Sequence, residues 1–140
     1  MRGEHLIRGS SSTQTIQGLS VGECEFMSMV KGCSIGLGAK AMSADLGYNH
    51  EIIVPSDSST ARGIALRRGV GKIRHLHTPL LWVQTRVRRG DLRLEAVPGD
   101  TNIADLGTKP LAGPKLEELL HRCGFRFLEG ESSLALRANV

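Results

Sequence analysis

Aromatic side chains are nearly absent from this sequence, which holds three Phe, one Trp and one Tyr in 140 residues. A core must therefore be built mainly from Leu, Ile, Val, Ala and Met. Cysteine is also sparse. Cys24, Cys33 and Cys123 form no CxxC pair, and an odd number cannot all be bridged. That favours thiols acting as small apolar groups in a reducing, intracellular setting, cytoplasmic or nuclear. No long apolar run exists. The longest stretch of large apolar residues, Leu80-Leu81-Trp82-Val83, is far short of a membrane span. Met1 to Ser10 lacks the apolar stretch of a signal peptide. Arg2, Arg8 and the serines after it have some transit-peptide character, which Glu4 opposes.

What remains is the composition of an ordinary soluble domain, 40% hydrophobic and 23% charged. The length suits one core. Residues 1–124 are expected to form one domain and 125–140 a tail without strong pattern. Seventeen glycines and several Ser/Thr clusters imply many turns. The net charge of +4 is unevenly spread: nine of the 18 Lys/Arg lie between Arg62 and Arg93, against one acid, Asp91. Such a segment attracts phosphate backbones by counterion release. It also suits a solvated helix face. Arg62, Lys72, Arg74, Arg86 and Arg89 are the candidate nucleic-acid contacts.

The pattern along the chain alternates strands and helices. Thr13 to Leu19 is a weak strand, interrupted by Gly18. Ser20 followed by Glu23 is a capping box, and Phe26, Met29, Val30, Cys33 and Leu37 continue at helical spacing. Gly32, Gly36 and Gly38 predict a break before a second helical piece over 39–46. Glu51 to Val54 reads as a buried central strand stopped by Pro55. Ser58 opens a helix through Arg68, ended by Gly69. Leu80, Val83 and Val87 mark one face of another helix, with Gln84, Arg86, Arg88 and Arg89 opposite and Gly90 as the stop. Asp91 to Val97 alternates as a half-buried strand, with Leu92, Leu94 and Ala96 on one face. Pro114 begins a last helix striped by Leu116, Leu119, Leu120 and Cys123. This order implies an α/β sheet flanked by helices.

In such sheets functional residues gather at strand ends, where helices begin. Three acids meet that description: Glu25, Asp57 and Asp105. Converging carboxylates hold hard cations such as Mg²⁺, which prefer oxygen ligands. Each acid also has a structural use. Asp57 can cap the helix at Ser58, Asp105 stands three residues after Asn102 in a capping-box-like position, and Glu25 can be a solvated helix acid. Trp82, inside an apolar run, reads as core. His75 and His77 suit packing or hydrogen bonding, and no partner ligands stand at zinc-site spacing.

Four blocks of this sequence, in order, resemble the ribonuclease H domain of copia-type retrotransposon Pol polyproteins. The first runs from Ser11-Ser12-Thr13-Gln14-Thr15 through Leu19-Ser20-Val21-Gly22-Glu23-Cys24-Glu25-Phe26. The second is Asp57-Ser58-Ser59-Thr60-Ala61, and the third Lys72-Ile73-Arg74-His75-Leu76. The most specific is Asn102-Ile103-Ala104-Asp105-Leu106-Gly107-Thr108-Lys109-Pro110-Leu111. The resemblance covers most of the chain, from about Gly3 to Leu120.

The resemblance implies a ribonuclease H-like mixed sheet flanked by helices and hydrolysis of RNA in RNA–DNA hybrids. It also implies two Mg²⁺ ions, with Glu25, Asp57 and Asp105 as catalytic, metal-binding carboxylates. Partners would be an RNA–DNA hybrid or other nucleic acid, and the reverse transcriptase of the same polyprotein; no membrane is implied. Glu25 rather than Glu23 matches the family's glutamate, because it directly precedes the aromatic Phe26. The family's first aspartate lies on a first strand upstream of Ser11. None of the ten residues before Ser11 is Asp, so that strand is expected to be missing and this chain to be inactive or incomplete as an enzyme. A non-catalytic nucleic-acid-binding module is the alternative. A different nuclease or integrase fits less well, since the Asn102 to Leu111 block follows the ribonuclease H pattern.

Overall fold

In a computed structural model, residues 1, 6–12, 14, 18–72 and 78–126 are described. The weak strand expected over 13–19 falls largely outside them, as do Arg74, His75 and His77. The chain divides into two compact units, Ser12–Asn102 and Met1–Ser11 with Ile103–Val140.

In the first unit, α1 (Val21–Asp45) starts at Ser20, whose hydroxyl accepts the Glu23 N–H at 3.2 Å. Glu23 answers from its carboxylate, accepting the Leu19 N–H at 2.7 Å. This is the expected capping box with the return bond displaced by one residue. Phe26, Met29, Val30 and Cys33 are buried, as their spacing requires. The predicted break at the glycines does not occur, and the helix is continuous. Gly36 shows why its cost is accepted: a Cβ there would stand 3.0 Å from the Ile52 side chain, so the missing methyl admits the segment entering the sheet.

β1 (Ile53–Ser56) and β2 (Arg93–Ala96) pair in parallel, Ile53 opposite Arg93 and Ser56 opposite Ala96. Parallel neighbours need a crossover, supplied here by α2 (Ser59–Leu66), a 3-10 turn (Thr78–Leu81) and α3 (Trp82–Arg88). Among the described residues the architecture is thus α/β, with four α-helices and a two-stranded parallel sheet.

β1 departs from its reading as a buried strand ended by Pro55. It is half-exposed and runs through the proline. The carbonyls of Ile52 and Ser56 accept N–H groups of Arg93 and Val97, at 2.8 and 3.2 Å. Alternate residues therefore bond toward β2, and Pro55 turns its donor-less nitrogen to the opposite edge. Proline is tolerated there because no ladder bond is lost.

The core joins the α1 stripe to Ala61, Ile64 and Ala65 of α2, Val83 of α3, and Leu92. Ile52, Val54, Leu94 and Trp82 pack against it, half-buried. Fully burying Phe26 or Ile64 stabilises by about 2–3 kcal/mol each. α2 ends two residues before the expected Arg68, with Arg67 extended. Gly90 (φ 75°) stops α3 in the left-handed conformation that favours glycine. Ala96, expected on the packed face of β2, is exposed.

The second unit is organised around α4 (Gly113–Arg122), with Pro114 in its first turn and Leu119 and Cys123 buried. The Leu6 N–H donates to the Cys123 carbonyl at 3.1 Å. Leu116, placed by its spacing on the packed stripe, is 41% exposed. Among the described residues no helix is long and apolar enough to cross a membrane.

Candidate functional site

Asp57 stands in the turn between β1 and α2, and almost every polar group around it is engaged. Ser58 is the N-cap: its hydroxyl accepts the Ala61 N–H at 3.1 Å and its carbonyl the Arg62 N–H at 3.1 Å. The Ser56 hydroxyl accepts the Ser58 N–H at 3.2 Å. The Ser56 carbonyl takes both the Val97 N–H and a guanidinium N–H of Arg62. Capping is thus done by Ser58, and Asp57 is left exposed with no capping duty. Beside it lies the turn after β2 (Gly99–Thr101), where a Cβ on Gly99 would stand 3.7 Å from Asp57 Oδ2.

The two glutamates of α1 are separated by burial. Glu23, 2% exposed, serves the helix start, and Glu25 is exposed on the next turn. The first turn of α1 abuts that of α2 so closely that a Cβ on Gly22 would come within 2.5 Å of Thr60 Cγ2. Glu25 lies three residues beyond Gly22 on the same helix face, and Asp57 three residues before Thr60. Both residues therefore lie near helix starts of the Ser12–Asn102 unit, Glu25 in the second turn of α1 and Asp57 two residues before α2.

Asp105 belongs to the other unit. It ends a 3-10 turn (Ile103–Asp105), and its largely buried carboxylate pairs with the Lys109 ammonium at 2.9 Å. The Thr108 and Lys109 N–H groups return to the Asp105 carbonyl at 3.1 and 3.2 Å, and the Thr108 hydroxyl donates to the Ala104 carbonyl at 2.9 Å. The Asp105 to Lys109 spacing therefore closes a turn on itself. Among the described residues, no group of three or more His, Cys, Asp or Glu side chains is placed to hold a metal ion.

The candidate basic contacts differ in their surroundings. Lys72 and Arg89 are exposed. Arg86 is exposed and pairs with Asp91 at 3.0 Å. Arg62 is half-buried, with its guanidinium turned into the fold.

Gln84, on the polar face of α3 by its spacing, is buried in the structure. Its Nε2 donates to the carbonyls of Ile64 and Gly69 at 2.8 and 3.0 Å, and its Oε1 accepts the Gly69 N–H at 2.9 Å. These partners stand 15 to 20 residues away, so no local pattern announces them.

No protein-family model, curated protein or solved structure matches the chain.

The donor set is mixed for a divalent cation. Glu25 and Asp57 offer exposed carboxylate oxygens from one unit, the ligand type that Mg²⁺ prefers. Asp105 instead has an ammonium as its neighbour.

Proposed function

We propose that this chain is a ribonuclease H-like portion of a copia-type retrotransposon polyprotein that engages nucleic acid without hydrolysing it at a useful rate. The reading rests on the four ordered blocks of the sequence. The observation that carries it is the division of labour near the helix starts of the first unit. Ser58 and Glu23 perform the capping, and the two acids that match the family's catalytic positions, Glu25 and Asp57, are each exposed near a helix start.

Glu25 and Asp57 would hold a divalent cation through their carboxylates. In the intact family two such ions, when bound, activate the attacking water and stabilise the leaving oxygen. This chain supplies no aspartate in its first ten residues to match the family's first ligand. Glu25 and Asp57 alone would hold such a cation less firmly than a fuller set of carboxylates. Contacts to the RNA 2′-hydroxyl would provide discrimination from DNA, and the exposed Lys72 and Arg89 favour phosphate attraction.

The test is a pair of assays on one RNA–DNA hybrid with Mg²⁺. The expected outcome is binding that weakens steeply with added salt, and no cleavage above buffer. Cleavage abolished by Asp57→Asn would contradict inactivity; absence of binding at low salt would contradict nucleic-acid engagement.

A further inference from the structure

We infer that Arg62 is a positioning residue for Asp57 rather than a phosphate contact; this rests on the reading of Asp57 as a functional carboxylate. Arg62 sits one turn into α2 with its guanidinium folded back onto the carbonyl of Ser56, the residue immediately before Asp57. Ser56 O is shared with the Val97 N–H, so one acceptor joins α2, the end of β1 and the strand end of β2. The Arg62 main-chain N–H meanwhile donates to the Ser58 carbonyl, immediately after Asp57. Arg62 thus holds the residues on both sides of Asp57, one through its side chain and one through its backbone. The Asp57 carboxylate, by contrast, projects into an exposed turn.

A short exposed turn has several backbone conformations of similar energy, and a charge-assisted bond to its first carbonyl selects among them. The guanidinium fits this role because its fixed planar fork loses little freedom per bond formed. A lysine would reach the same oxygen as a point charge without the fork. With its guanidinium committed to Ser56, Arg62 has less to offer a phosphate than the exposed Lys72 and Arg89.

Phosphate contact and positioning separate experimentally in the full chain carrying Arg62→Gln, with Arg62→Lys as the conservative variant. Positioning predicts that amide hydrogen exchange at Ser58 and Val97, whose N–H groups bond to Ser56, accelerates about tenfold in Arg62→Gln, with partial recovery in Arg62→Lys. Exchange in the middle of α1 should stay at the parent rate, showing that the fold persists. The salt slope of hybrid binding should be unchanged. Unaltered exchange at Ser58 and Val97, or a slope reduced by about 1 as for a lost phosphate contact, overturns the inference. Mn²⁺ line broadening at Asp57 gives a further readout. It should weaken in Arg62→Gln as well as in Asp57→Asn; weakening in Asp57→Asn alone also overturns the inference. A parent chain with no Mn²⁺ broadening at Asp57 counts against the metal-site reading itself, and the exchange rates then decide the role of Arg62.

Discussion

Replacing Gln84 by Met removes the polar link between α2 and α3 while nearly conserving volume, so little cavity forms. Three hydrogen bonds are lost, to Ile64 O at 2.8 Å, Gly69 O at 3.0 Å and from Gly69 N at 2.9 Å. They are not equivalent. Ile64 is 1% exposed and lies in the last turn of α2, where helix carbonyls lack intrahelical partners. A buried acceptor stripped of its donor costs about 1–3 kcal/mol. Gly69 is exposed, so water replaces the amide there at roughly 0.5 kcal/mol per bond. The sum is about 3 kcal/mol. With a urea dependence of about 1.5 kcal/mol per M, the unfolding midpoint should fall by about 2 M. Trp82, packed against the same core, reports the transition by fluorescence. Arg88→Gln, on an exposed site, is the control and should stay within about 0.5 kcal/mol of the parent. A midpoint for Gln84→Met within about 0.3 M of the parent would refute the claim that the buried amide ties these helices together.

Two further outcomes follow from close packing and burial. Gly22→Ala should destabilise the fold by about 1–2 kcal/mol despite alanine's better helix propensity, because its Cβ meets Thr60 Cγ2 at 2.5 Å. Adding Thr60→Ser, which deletes that methyl, should recover most of the loss in the same urea measurement, and no recovery would exclude the clash as the cause. Burial pushes the Cys33 thiol from 9.0 up to about 11. Since the folded value is the higher one, the thiol's contribution to stability is intact below pH 9.0 and is lost as pH climbs through about 11. At about pH 8, where the thiolate is the reacting form, a disulfide reagent should modify the half-buried Cys24 well before Cys33; equal rates would contradict this.

Much of the fold was legible because it is encoded locally. Ser20 and Ser58 stand at helix starts, Phe26 to Cys33 at core spacing, Gly90 at a helix stop and Pro114 in a first turn, and each signal involves neighbours within about one turn. The errors share a different origin. α1 survives three glycines because Gly36 gains a close contact with Ile52, a partner far along the chain. Pro55 enters a strand because of which edge it faces, a matter of pairing that sequence does not display. Gln84 has the polarity of a surface residue and the partners of a core one. At the candidate site, the residue types at Glu25, Asp57 and Asp105 were readable. The turn linking Asp105 to Lys109 and the inward turn of Arg62 were not, since both depend on side-chain direction.

The proposed role of Glu25 and Asp57 is to hold one divalent cation between them. Its most direct test is Mn²⁺ titration of the isotope-labelled chain, read as paramagnetic broadening of backbone amides. The amides of Glu25 and Phe26 should broaden together with those of Asp57 and Ser58 at the same low Mn²⁺ concentration, and Asp57→Asn should relieve both sets. Broadening at one set without the other, or broadening spread evenly over exposed acids such as Glu51 and Asp100, would contradict it.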